Sequence, residues 1–205
     1  MQNDQNISQE TEVLRQGKSL RIMGVDPGSR ASGYALMEVR LGGRELHFFA
    51  KNVGVIRSQS ELFSTRLREI GQDFNKLLIQ QAPHIVVLEK IFLSKNVDSA
   101  FKLGHARGIL MYEAARQNVR IEELATRAAK KLVSGSGAAD KLQVRSSLQY
   151  LLKIPPSVFD SLPLDASDAL ALAYGFAELF RAQWISQKAG HVSLQTSPRA
   201  PSKEG

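Results

Sequence analysis

Apolar side chains recur along the chain in runs whose spacing changes between the period of strands and the period of helices. Continuous or alternating apolar runs bounded by turn residues predict strands, whereas apolar positions three and four residues apart predict helices. The predicted strands are residues 21–26, 33–39, 45–55, 84–89 and 119–122. The predicted helices are residues 60–81, 96–117, 138–152 and 165–181.

The order of these elements predicts an α/β fold, with one mixed five-stranded sheet and helices on both of its faces. The Leu41-Gly42-Gly43-Arg44 turn joins the second and third strands as a hairpin, so the chain begins with three antiparallel strands. The last two strands follow helices, and a strand reached through a helical crossover is expected to be parallel to its neighbour. The continuously apolar run at residues 84–89 is typical of a central strand.

The two ends of the chain differ in composition from its middle. Residues 1–19 lack apolar periodicity and residues 183–205 are polar with proline and serine, so both are expected to be disordered. Residues 20–182 are expected to form one domain, long enough to bury a core. No run approaches the ~18 consecutive apolar residues of a membrane span, and the polar N-terminus does not resemble a secretory signal. Cysteine is absent, which excludes thiolate metal sites, and we expect a cytoplasmic protein without a membrane partner.

The net charge of the chain is +7. The two ends contribute five basic and four acidic residues, which leaves 22 basic and 16 acidic residues in the predicted domain. A basic domain favours a polyanionic partner such as nucleic acid. Many soluble proteins are basic without such a partner, so charge alone leaves the question open.

Four carboxylates stand at the ends of apolar segments. Asp26 and Glu89 each close a predicted strand, and Asp165 and Asp168 open the last predicted helix. Burying an unpaired charge is costly, so packing does not explain these positions. Brought together, they would offer the carboxylate oxygens that hard divalent cations prefer. Each also has a simpler explanation: Asp26 as a turn former, Asp165 as a helix N-cap, and Glu89 as the partner of a nearby lysine.

The same segments carry the motifs of a known nuclease family. The matching segments are Gly-Val-Asp-Pro-Gly-Ser-Arg at 24–30 with Gly-Tyr at 33–34, residues 89–100, Ala-Arg-Gly at 106–108, the basic Gly-Ser-Gly-Ala segment around 130–141, and residues 165–171. Their order and content resemble RuvC, the bacterial Holliday junction resolvase family. The resemblance covers roughly residues 21–180. Each motif alone is weakly specific, but five in order are highly specific.

The resemblance implies a ribonuclease-H-like fold, which agrees with the predicted strand order. It implies a homodimeric endonuclease that makes symmetric nicks in four-way DNA junctions during recombination and repair, together with the branch-migration proteins RuvA and RuvB. It also implies two Mg²⁺ ions per active site, for which Mn²⁺ is expected to substitute. The implied catalytic and metal-binding residues are Asp26, Glu89, Asp165 and Asp168.

The resemblance further implies a set of DNA contacts. Phe92 is expected to stack on a base, although capping of the core is the alternative for this side chain. Lys130 and Lys141 match family positions near the active site, whereas a solvated helix face is the ordinary explanation of such a basic run. The remaining residues expected to bind DNA are Lys95, Lys102 and Arg107.

Gly104 and Gly108 lie four residues apart within the long helix predicted at residues 96–117. Glycine inside a helix costs about 1 kcal/mol relative to alanine, so a compensating close approach is expected. That approach is either helix on sheet within one chain or helix at the homodimer interface, where the resemblance places part of this helix.

Three other functions remain open from the sequence. A related nuclease of the same fold could act on structured RNA, or the domain could bind junctions without cutting them. An actin-like ATPase also begins with a strand followed by an Asp-x-Gly turn, but it requires a second lobe with a further phosphate loop, which this chain lacks after residue 89.

Overall fold

The computed structural model describes the backbone of residues 2–90 and 97–195, and the side chains of residues 9–90 and 97–188. The strands are β1 Leu20–Asp26, β2 Ala31–Gly42, β3 Glu45–Arg57, β4 Ile85–Glu89 and β5 Arg120–Leu124. The helices are α1 Gln2–Arg15, α2 Phe63–Gln81, α3 Val97–Arg116, α4 Thr126–Ser134, α5 Lys141–Leu152, α6 Pro156–Phe159 and α7 Leu164–Gln195.

The five strands form one mixed sheet in the order β3-β2-β1-β4-β5. β1 pairs antiparallel with β2, and β2 pairs antiparallel with β3. β4 lies parallel to both β1 and β5. The sheet that the sequence predicts is therefore confirmed, including the hairpin, which turns at residues 43–44, and the interior position of β4.

Two apolar cores cover the two faces of the sheet. α7, α4 and α5 pack on one face, and α2 and α3 pack on the other. On β1, Ile22 belongs to the α7 core whereas Met23 and Val25 belong to the α2–α3 core. Because side chains alternate along a strand, Gly24 and Asp26 face α7. The same alternation on β4 turns Glu89 toward α7.

α7 lies unusually close to the sheet where two glycines replace side chains. A Cβ atom on Gly24 would lie 2.1 Å from the carbonyl oxygen of Ala169, and one on Gly33 would lie 2.0 Å from the carbonyl oxygen of Asp165. Any side chain at these positions would push the helix away from the sheet. The two glycines therefore set the position of the first turns of α7, which carry Asp165 and Asp168.

The structure differs from the expectation of disordered ends. α1 forms within residues 1–19, Leu14 is 1% exposed in the α7 core, and Glu10 pairs with Arg120 at 2.5 Å. α7 continues past residue 182, and Trp184 is buried in the same core. Both segments gain their stability from tertiary packing, which a search for periodicity does not detect. Residues 196–205 lie outside the described part, and the unit boundaries at 20 and 182 stay predictions.

α4 was also missing from the predicted elements, because only Ala129 and Val133 of its nine residues are buried. The other predicted helices and strands are present with ends shifted by a few residues. Over the residues that the structure describes, no helix combines the length and apolarity that crossing a membrane requires.

Candidate active site

Three separate segments bring their carboxylates together at one edge of the sheet. β1 and β4 are parallel neighbours, with Val25 opposite Leu88, so Asp26 and Glu89 leave the same edge side by side. The first two turns of α7 add Asp165 and Asp168 from above, in the position that Gly33 permits. The convergence expected from the sequence is therefore present.

Burial and the neighbouring carboxylates together change the pKa of Asp26. Burial, followed by the charges of Glu89 and Asp168, a hydrogen bond with Glu89 and the charge of Asp165, raises the pKa of Asp26 from 3.8 to about 7. Without a cation, roughly half of the Asp26 carboxyls are therefore neutral at pH 7. A bound cation would favour the ionised form, since opposite charge stabilises a carboxylate.

A pocket of about 230 Å³ opens beside this cluster and is lined by both acids and lysines. Its charged and polar lining consists of Asp26, Glu89, Asp168, Thr126, Lys130 and Lys141. This combination can hold cations against the acids while the lysines contact an anion at the same place.

Lys141 reaches directly into the acidic cluster. Its Nζ lies 2.6 Å from Oδ2 of Asp168. The hydrogen bond to Asp168, reinforced by the charges of Asp168, Asp26 and Asp165, raises the pKa of Lys141 above its usual value, although partial burial opposes this. Asp140 caps α5 by accepting a hydrogen bond from the backbone N–H of Gln143, which fixes the helix start from which Lys141 extends.

Lys130 approaches the pocket from α4. Its Nζ donates a hydrogen bond to the carbonyl oxygen of Ala139 at 2.9 Å, which ties α4 to the loop before α5. The loop turns at Gly135, whose φ of +78° suits glycine and ends α4. Lys130 and Lys141 thus both lie at the pocket, as the sequence led us to expect.

Glu89 is held by two residues whose roles the sequence did not reveal. The Thr126 hydroxyl donates to Oε1 of Glu89. Arg107 donates from Nε to the carbonyl oxygen of Glu89 at 3.3 Å and forms an ion pair with Glu123. The Arg107 side chain is 17% exposed, so a contact with DNA would require it to leave these partners, and that contact stays a prediction.

A buried arginine fixes the turn that follows Asp26. The Arg66 guanidinium donates to the carbonyl oxygens of Ser29, Ser60 and Glu61 at 3.1, 3.1 and 2.8 Å. Ser32, also buried, bonds both the N–H and the carbonyl of Gly28 across the same turn. Neither residue carries a sequence signal for this role, because each acts through backbone groups brought near by folding.

The remaining residues expected to bind DNA lie farther from the acids or outside the described part. Lys102 is exposed on α3 and its Nζ lies 2.6 Å from Oδ2 of Asp98, a surface pair of little energetic weight. Phe92 and Lys95 fall outside the described residues. The DNA contacts of all three stay predictions.

The donor set fits hard divalent cations, because four carboxylates supply only oxygen ligands. Within residues 9–90 and 97–188, no three acidic or histidine side chains already stand in coordination geometry. The Asp168 carboxylate is engaged by Lys141, whereas Thr126 bonds one oxygen, Oε1, of the Glu89 carboxylate. Cation binding by Asp168 would therefore require its carboxylate to leave Lys141.

The raised pKa of Asp26 leads to an expected dependence of stability on pH. Between pH 3.8 and about 7 the folded protein binds more protons at Asp26 than the unfolded chain does. The stability that Asp26 contributes is therefore full below pH 3.8 and is lost as the pH rises through about 7. We expect the melting temperature of the metal-free protein to fall between pH 5.5 and 8.5, and millimolar Mg²⁺ to restore it at the alkaline end. An Asp26→Asn variant with the same pH slope would contradict this assignment.

The sequence of this chain is similar to those of one family of nucleases. The family profile described as crossover junction endodeoxyribonuclease RuvC matches residues 22–176 of the chain. A protein of this description from Bdellovibrio bacteriovorus is 45% identical over 177 residues, which cover 86% of this chain and 99% of the relative. Another from Mannheimia succiniciproducens is 41% identical over 152 residues, which cover 74% of this chain and 72% of the relative.

Solved structures give the same picture for the fold. The Thermus thermophilus RuvC structure matches with a TM-score of 0.67 at 23% identity, covering 79% of this chain and 96% of that chain. The same protein in complex with a Holliday junction substrate matches with a TM-score of 0.70 at 23% identity, covering 80% and 97%. The yeast mitochondrial Holliday junction resolvase matches at 0.60 and 16% identity, covering 85% and 84%. These matches confirm the ribonuclease-H-like fold.

Proposed function

The chain belongs to the RuvC family of crossover junction endodeoxyribonucleases, and from this premise we propose that it resolves Holliday junctions by hydrolysing phosphodiester bonds at the acidic pocket. The observation that carries the proposal is the pocket itself, where Asp26, Glu89 and Asp168 face Lys130 and Lys141. The solved Thermus thermophilus relative is described in complex with a Holliday junction substrate. The substrate we propose here is the same kind of four-way DNA junction.

In hydrolysis, the acids would bind divalent cations and the lysines would contact the phosphate. Divalent cations, when bound, would neutralise the phosphate, activate the attacking water and stabilise the leaving oxygen. Asp26 would be the central cation ligand, because its carboxyl interacts with Glu89, Asp165 and Asp168. Glu89 and Asp168 would each hold one side, with Asp165 supporting them. We propose two Mg²⁺ per site, with Mn²⁺ as a substitute.

The two lysines are suited to the phosphate. The ammonium of Lys141, which pairs with Asp168 at 2.6 Å, would contact a phosphate oxygen where Asp168 serves as a cation ligand instead. Lys130 already donates across the pocket mouth to Ala139 and would orient the scissile strand. Either lysine could stabilise the leaving oxygen.

The test compares three substrates in Mg²⁺: a four-way junction, a linear duplex of the same sequence and a structured RNA. We expect paired nicks at symmetric positions in the junction and no cleavage of the other two. Cleavage of the RNA would favour the RNA nuclease, and tight junction binding without cleavage would favour a non-catalytic module. Either result would contradict the proposal.

We also propose that the chain acts as a homodimer through the outer face of α3. Phe101 and Tyr112 are 65% and 59% exposed on this helix. A Cβ atom on Gly104 or Gly108 would meet none of the described residues within 4 Å, so no close approach among residues 9–90 and 97–188 explains these glycines. A second chain could supply that approach, and a two-fold dimer would present two equivalent sites to two strands of a junction.

Gly108→Gln separates the two explanations of the glycines. Within one chain the substitution is expected to stabilise α3 by roughly 0.5–1 kcal/mol, because glutamine is the better helix former. At a dimer interface the larger side chain should raise the dimer dissociation constant at least about tenfold. Sedimentation at micromolar concentration measures the second effect, with Ser146→Gln, exposed on α5 of the opposite layer, as the control. A monomeric wild-type chain would refute the dimer.

The interaction with RuvA and RuvB and a cytoplasmic location remain predictions from the family resemblance. Co-purification of the untagged branch-migration proteins with this chain on junction DNA would support the first.

A further inference from the structure

Residues 123–126, which join β5 to α4, support Glu89 through one direct hydrogen bond and through two neighbours, Lys90 and Arg107. The backbone N–H of Lys90 donates to the carbonyl oxygen of Leu124 at 3.0 Å, which extends the β4–β5 pairing just past Glu89. Glu123 holds Arg107, and Arg107 in turn donates to the Glu89 carbonyl. Thr126 completes the set by donating its hydroxyl to Oε1 of the Glu89 side chain.

The Thr126 hydroxyl is not used to cap its own helix. Ala125 occupies the N-cap position of α4, and no side chain caps the helix there. Thr126 is the first helical residue, and Lys130 lies one turn later on the same face. Both line the pocket of about 230 Å³. α4 therefore places the neutral Thr126 hydroxyl against Glu89 and the charged Lys130 ammonium in the pocket beside it.

We propose that Thr126 is a positioning residue that holds the Glu89 carboxylate in its cation-binding orientation and thereby sets the affinity of the site for divalent cations. The inference rests on the proposed function, in which Glu89 is a metal ligand. Glutamate has three side-chain torsions, and ordering them upon cation binding costs conformational entropy. A donor that already holds one carboxylate oxygen reduces that cost and leaves the remaining lone pairs for the cation.

The test uses two substitutions at Thr126, one that removes the hydroxyl and one that keeps it. Thr126→Val removes the hydroxyl and keeps the shape, whereas Thr126→Ser keeps the hydroxyl. Two quantities are measured: the Mg²⁺ concentration that gives half-maximal junction cleavage, and the Mg²⁺ concentration that gives half of the rise in melting temperature without DNA. We expect Thr126→Val to raise both about tenfold, with little change in the rate at saturating Mg²⁺, and Thr126→Ser to stay within about twofold of wild type.

A merely structural role gives a different result. Thr126→Val would then lower the melting temperature equally with and without Mg²⁺ and leave both half-saturating concentrations unchanged, which would overturn the inference. In a Glu89→Gln background, Thr126→Val should have no further effect on Mg²⁺ affinity, because its target carboxylate is gone. An undiminished effect in that background would also overturn it.

The failure of this inference is distinguishable from the failure of the proposed function. If Glu89→Gln leaves cleavage and Mg²⁺ affinity unchanged, Glu89 is not a ligand and both proposals fall. If Glu89→Gln abolishes cleavage while Thr126→Val behaves as wild type, only the role of Thr126 is refuted.

Discussion

Asp26→Asn is expected to reduce junction cleavage by at least about a thousandfold while junction binding persists. A thousandfold corresponds to roughly 4 kcal/mol of lost transition-state stabilisation. The loss follows from the position of Asp26, which interacts with all three of the other carboxylates. Asparagine keeps the size of the side chain but removes the charge that would bridge the cations. Single-turnover cleavage and gel-shift binding in EDTA measure the two quantities.

A matched control is Asp140, the N-cap residue of α5. Asp140→Asn removes a carboxylate that caps a helix beside the pocket but is not part of the acidic cluster, and asparagine is an equally good N-cap. We expect this variant to cleave at close to the wild-type rate. Wild-type activity of the Asp26→Asn protein would show that the pocket is not the site of hydrolysis. A loss of junction binding by this variant would show that the substitution disturbs the folded structure and not only catalysis.

Gly24→Ala is expected to destabilise the fold and to inactivate the enzyme together. The added Cβ would lie 2.1 Å from the Ala169 carbonyl oxygen and 2.7 Å from the backbone nitrogen of Ala173. Both neighbours are backbone atoms in the middle of α7, so the whole helix has to move away from β1. We expect a loss of about 3 kcal/mol or more, which corresponds to a fall in melting temperature of roughly 10 °C.

The same displacement carries the catalytic acids with it. Asp165 and Asp168 lie in the first turns of α7, so the part of the Gly24→Ala protein that remains folded should cut junctions poorly even at saturating Mg²⁺. Ser146→Ala, at an exposed position on α5, is the control. A Gly24→Ala protein that melts and cleaves like wild type would contradict the packing of α7 on β1.

Strand polarity explains why the acidic cluster could be predicted from the sequence. Asp26 and Glu89 each end an apolar run, and a helical crossover makes their strands parallel, so both acids leave the same edge of the sheet. Because side chains alternate along each strand, both acids also point to the same face of the sheet, the one covered by α7. Asp165 and Asp168 are recognisable in the sequence because they stand at the start of the last predicted helix. These rules predict the edge and the face, and the family resemblance supplied the expectation that the four acids form one site.

The supporting contacts could not be predicted in this way. Thr126 reaches Glu89 only because β4 and β5 pair in one particular register, with Glu89 opposite Leu124. Arg66 acts on backbone carbonyls that carry no signature in the sequence. α1 has few apolar residues, and its helix is held by Leu14 in the core and by the pair between Glu10 and Arg120. In each case the partner is supplied by tertiary structure.

Anomalous diffraction from crystals grown with Mn²⁺ tests the central claim most directly, namely that carboxylates from β1, β4 and α7 form one two-cation centre. We expect two anomalous peaks about 4 Å apart in the pocket. The Asp26 carboxylate should lie between them, with Glu89 and Asp168 on its two sides. Mn²⁺ bound only outside the pocket, or no peak near Asp26, would contradict the claim.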